Sequence, residues 1–143
     1  MYYVDLKFTI MIQRIQSIYL LVVTIAMALV SFKVPVWTLN EKLTFAQDDT
    51  KMFILTITAS LFSALAIFIF NNRKLQMKLI RMAIMVIAVI AVRLGLLFGN
   101  TEFDYTLNYN CVALLLFAFG ALVMAYRGVK KDDDLVRSAD RIR

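Results

Sequence analysis

Four apolar runs, each roughly 18–20 residues long and separated by short polar stretches, constrain this chain more than any other feature. They cover about Ile15–Phe32, Met52–Phe70, Leu79–Phe98 and Tyr109–Tyr126. A helix rising about 1.5 Å per residue crosses the roughly 30 Å hydrocarbon core of a bilayer in that length. The runs are apolar on every side, and a small soluble bundle needs only one apolar stripe per helix. Hydrophobic residues reach 62% of the 143, above the roughly 45–50% of an ordinary soluble domain. The expected fold is therefore all-α: a polytopic membrane protein with a four-transmembrane-helix bundle.

Orientation follows from Lys and Arg, which gather on the cytoplasmic side. With the N-terminus inside, Lys7, Arg14, Arg73, Lys74, Lys78, Arg81, Arg127, Lys130, Lys131, Arg137, Arg141 and Arg143 are inside. Only Lys33, Lys42 and Lys51 are outside, and Arg93 falls within a span. Twelve against three predicts that both termini are cytoplasmic. The net charge of +6 then reads as topogenic, and no basic patch interleaved with aromatic residues points to nucleic acid. Ala26-Met27-Ala28 imitates a signal-peptide cleavage site, but Leu29 to Phe32 continue the apolar run past it.

The segments between the runs give finer expectations. Pro35 disfavours helix at the residue before it, so the first helix should stop near Val34. Val36–Leu39 and Leu43–Ala46 flank Asn40-Glu41-Lys42 and predict a short β-hairpin in the first outer loop, with Trp37 at headgroup level. Residues 1–10 are patternless and read as a flexible or non-native extension before a start at Met11. Residues 11–127 form the transmembrane domain and 128–143 a cytoplasmic tail. In that tail, acids at Asp132–Asp134 precede Arg137, Arg141 and Arg143, as a helix dipole prefers. Leu135, Val136, Ala139 and Ile142 recur at helical spacing, so the tail should form a short amphipathic helix on the inner leaflet or against a partner.

Helices in lipid associate through close contact of small residues. Gly95 and Gly99 make a GxxxG in the third helix, and Ala59, Ser60, Ser63 and Ala64 give the second a small face. Gly95 and Gly99 could serve intrachain packing or self-association. Arg93, the one charge within a span, lies about five residues from its helix end, so its head has about 7 Å to climb to the outer headgroups. Glu102 or Asp104 could fold back on it, and an intramembrane charge is also a candidate for function. Cys111, the one cysteine, reads as a small buried hydrophobe.

Chemistry is sparse. The chain has no histidine and a lone cysteine, so the usual soft-metal clusters and Ser-His or Cys-His nucleophile pairs cannot be assembled. No Gly-rich phosphate loop is present. The acids fall in loops and tail, and Asp132-Asp133-Asp134 on a helix start would point in different directions. Neither catalysis nor a cofactor or metal is expected.

Met11-Ile12-Gln13-Arg14-Ile15-Gln16-Ser17-Ile18-Tyr19-Leu20 and the tail Lys130 to Arg143 resemble the N- and C-terminal signatures of domain-of-unknown-function family 4293. Its members are small membrane proteins of Bacteroidota. The resemblance runs from Met11 to the end and implies a bacterial cytoplasmic-membrane protein, with no activity attached. It directs attention to Gln13, Arg14 and Gln16 at the first helix entry and to Arg137, Ser138, Asp140, Arg141 and Arg143 in the tail. Arg and Asp of these segments could pair and fix the inner end of the bundle, or present a docking surface. The expected role is a non-enzymatic accessory or subunit of a membrane complex, its partners being the bilayer and another membrane protein or a second copy. The alternative is a small oligomeric transporter or pore, although no carboxylate was placed inside a span to couple it to protons.

Overall fold

A computed structural model describes the backbone of residues 2–39, 42–98 and 105–140, and the side chains of residues 15–38, 42–98 and 106–138. Helix α1 (Tyr2–Phe32) leads into strands β1 (Pro35–Leu39) and β2 (Lys42–Phe45), then a single 3-10 turn at Ala46–Asp48. Helix α2 (Thr50–Phe68), helix α3 (Arg73–Phe98), strand β3 (Tyr105–Leu107) and helix α4 (Tyr109–Asp140) complete the chain. The apolar stretches long enough to cross a membrane are Ile15–Phe32, Thr50–Phe68, Arg73–Phe98 and Tyr109–Ser138. By length and composition this is a multi-pass membrane protein.

Each helix buries a stripe at alternating spacings of three and four, the pattern that keeps one seam facing its neighbours. In α1 the stripe is Gln16, Leu20, Val23, Met27 and Val30; in α3 it is Gln76, Ile80, Ala83, Ile87, Ile90 and Leu94. In α4 it is Cys111, Leu115, Ala118, Leu122, Ala125, Val129 and Asp132. Helix α2 contributes the small stripe Met52, Thr56, Ala59, Ser63 and Ala66. Its hydroxyls are satisfied locally, Thr56 Oγ1 donating to the Met52 carbonyl and Ser63 Oγ to that of Ala59. Helix α1 packs on both α2 and α4, and α3 closes the ring against α2 and α4. Large apolar residues such as Leu61, Val92 and Leu116 remain exposed on the outside, as lipid contact requires.

Several boundaries differ from those expected. α2 ends at Phe68 rather than Phe70: Ile69 is its C-cap, donating to the Leu65 carbonyl. α3 begins at Arg73 rather than Leu79, because Asn72 caps it through Oδ1, which accepts from the Leu75 N–H. The basic segment is thus the first turns of a helix. The tail is helical, as expected, but as the end of α4, which runs unbroken to Asp140 through Gly128. No proline interrupts residues 109–140, and the polar segment simply continues the hydrogen-bonded ladder. Backbone helix also extends back to Tyr2, ahead of Met11.

The two ends of the bundle differ. At one, the predicted hairpin forms, pairing Thr38 with Leu43 and Leu39 with Lys42, but β3 joins it to give an antiparallel sheet of order β2-β1-β3. The architecture is helical with this small sheet added. An irregularity in register between Pro35 and Trp37 breaks the strand alternation, and the adjacent Val36 and Trp37 are both buried. Trp37, on the central strand, is enclosed in the core. At the opposite end lies the tight turn between α2 and α3.

Candidate functional site

The buried stripes run into polar residues at the turn end: Gln16 on α1, Gln76 on α3 and Asp132 on α4, each 4–5% exposed. Removing such groups from water is costly unless they find hydrogen-bond partners inside. They do. Gln16 Nε2 donates to Asp132 Oδ2 at 2.8 Å, joining residues 116 apart in sequence. Arg73 Nη1 donates to the Asp132 backbone carbonyl at 3.2 Å. Gln76 Nε2 donates to the Ala66 carbonyl at 3.0 Å and ties α3 to α2. One polar layer thus links all four helices.

Gly128 makes the layer possible. A Cβ built there would lie 2.8 Å from Gln16 Cγ and 3.0 Å from Gln16 Nε2. The Gln16 side chain passes directly over the α4 backbone to reach Asp132, and only glycine leaves it room. The three consecutive acids do diverge: Asp132 is buried, Asp133 half-buried and Asp134 exposed. Asp133 accepts an ion pair from Arg137 at 2.9 Å, one turn on.

The expected site residues fall out as follows. Gln16 is at the centre of the layer. Arg137 is exposed and bound to Asp133, and Ser138 Oγ donates to the Leu135 carbonyl. Among the described residues, the tie between the two signatures is Gln16 to Asp132, the one acid of Asp132–Asp134 on the buried seam. The side chains of Gln13, Arg14 and Asp140, and all of Arg141 and Arg143, lie outside the described residues.

Packing expectations divide similarly. Ser60 Oγ donates to the Thr24 carbonyl of α1 at 3.2 Å, and Ala64 is half-buried nearby. Gly95 is exposed and nothing lies within 4 Å of a Cβ placed there, so it makes no close intrachain contact. The small residue buried on α3's seam is Ala83. Gly99 lies outside the described residues.

At the sheet end, Arg93 does not stand alone. Its Nη2 pairs with Asp49 Oδ2; Glu102 and Asp104, the acids that could fold back on it, lie outside the described residues. Asp49 is the N-cap of α2, accepting from the Lys51 N–H at 3.0 Å, which sets the carboxylate beside α3. Partial burial pushes the Asp49 carboxyl up, but the Arg93 hydrogen bond, the Lys51 and Met52 amides and the Arg93 charge together outweigh it and hold it below 3.8. Cys111 is fully buried, as expected of a small hydrophobe.

The family described as domain of unknown function DUF4293 matches residues 12–142, nearly the whole chain. The chain belongs to this family. The DUF4293 match takes in the α1 entry carrying Gln16, the α2–α3 turn and α4 with Gly128 and Asp132, so the polar layer lies wholly within it. Neither the curated proteins nor the solved structures yield a match.

Sequence reasoning placed Gln16 among the candidates but missed Gly128, Gln76 and Asp132 as its companions. The signal was present: continuing the α3 and α4 stripes by one more step of three or four lands on Gln76 and Asp132. What hid them was the assignment of residues 128–143 to a tail and the start of the third span at Leu79.

Proposed function

We propose that this DUF4293 protein is a non-enzymatic accessory subunit of a bacterial cytoplasmic-membrane complex. Both termini are cytoplasmic, and the turn end of the bundle is the inner end. It engages its partner through the part of α4 that projects beyond the bundle. One observation carries this reading: α4 is clamped to α1 at Asp132 and then continues as helix to Asp140, with Leu135 54% and Val136 44% exposed. A helix held rigidly at its root offers adjacent apolar side chains with little ordering entropy left to lose on binding.

The test is a pull-down from the native membrane in gentle detergent with wild type, Leu135→Ser/Val136→Ser and a deletion of 135–143. A partner retained by wild type and lost from both variants, with insertion unchanged, supports the proposal. Identical recovery from all three overturns it. Solute flux across liposomes containing this chain alone would favour a transporter or pore instead.

A further inference from the structure

A cleft opens at the turn end between the α2–α3 connection and the projecting segment of α4. Asn71, Asn72, Arg73 and Lys74 form one wall; Phe70 and Val136 line it as well. Arg73, Lys74, Lys78 and Arg81 fall within nine residues that contain no acid. The cleft does contain one acid, Asp133, but its charge is met by Arg137 at 2.9 Å.

We propose that this cleft seats the headgroup of an anionic phospholipid. The walls suit a phosphate monoanion that carries acyl chains. Lys74 is exposed at the cleft, and Arg73 is held there by its bond to the Asp132 carbonyl, so one cation is already positioned before binding. The two asparagine side chains add hydrogen-bonding capacity for phosphate and glycerol oxygens. Phe70, 53% exposed, gives the apolar contact an acyl chain needs and a free anion does not. A basic recess between helices at the cytoplasmic membrane surface is the setting in which anionic headgroups bind. The placement at that surface rests on the orientation proposed above; the chemistry of the cleft does not.

The test uses the full chain purified in neutral detergent and needs neither a partner nor a defined orientation. Native mass spectrometry reads retention of phosphatidylglycerol against phosphatidylcholine. Wild type should retain the anionic lipid preferentially. Lys74→Gln should weaken that retention about fivefold, the loss of one cation near the headgroup. Asn71→Asp, which sets a negative charge at the cleft, should weaken it at least as much. Lys130→Gln, exposed on α4 and not lining the cleft, should change it less than about twofold. Equal retention of the two lipids overturns the proposal. So does an equal loss in Lys74→Gln and Lys130→Gln, which would mean a diffuse field with no seat. Displacement of the lipid by millimolar inorganic phosphate would mean an anion site, and overturns it too.

Discussion

Single contacts in this protein are decided by how little room they have. Asp132 is 4% exposed and its carboxylate accepts from Gln16. Leaving such a buried group without its partner costs roughly 1–3 kcal/mol. Gly128→Ala gains about 1 kcal/mol of helix propensity but drives a Cβ to 2.8 Å from Gln16 Cγ. The clash involves the middle of the side chain, so the Gln16–Asp132 bond must break, and the net effect should be destabilising. In a Gln16→Ala background the obstacle is gone, and the same change should stabilise by about 1 kcal/mol. Thermal unfolding of the four proteins of this cycle in detergent checks the change of sign; a Gly128→Ala effect independent of residue 16 would overturn the geometry.

The Arg93–Asp49 pair makes a second prediction at this scale. The folded carboxyl of Asp49 titrates below its ordinary 3.8. Its contribution to stability is therefore complete above 3.8 and disappears as pH falls through the lower folded value. Asp49→Asn should unfold more readily than wild type at neutral pH, and the gap should narrow below about pH 3.8. A gap constant with pH would contradict the pair. Arg93→Leu should insert normally, since a charge is removed from a span, yet lose stability through the orphaned Asp49.

Among elements, α4 changes the picture most. A span followed by a hinged surface helix would let its two parts move independently. A single helix of 32 residues cannot. Spin labels at positions 127 and 138 should report one narrow distance near the helical separation of about 16 Å. A broad or much longer distribution would mean that the helix breaks at Gly128. A proline at Lys131, in mid-helix, should cost about 3 kcal/mol and detach the projecting segment. The start of α3 teaches the same lesson. Charge density at Arg73–Lys78 suggested a loop, but Asn72 caps the backbone there, and a helix tolerates Lys and Arg well wherever their heads reach water.

For the molecule as a whole, four crossings require alternate connections to face opposite sides. Reporters at Asn72 and Arg143 should label from the same side of the membrane and a reporter at Gln47 from the other. Asn72 and Arg143 on opposite sides would overturn the four-span topology. The bundle is finished differently at its two ends. At the sheet end β1 binds the α1–α2 connection to the segment before α4 through backbone pairing, with Asn108 N–H also donating to the Val36 carbonyl. At the turn end side chains do the work through the polar layer.

The number and apolar character of the spans, the hairpin and the family were all legible in the residues, because each depends on local composition or a continuous motif. Water excludes long apolar runs whatever they pack against. Which small residues touch, where α4 stops, and which acid answers Arg93 depend on groups distant in sequence being brought together. Gln16 meets Asp132 across 116 residues and Arg93 meets Asp49 across 44. Such bonds exist only once packing has set the rotation of each helix about its own axis, and that rotation is a property of the assembled bundle.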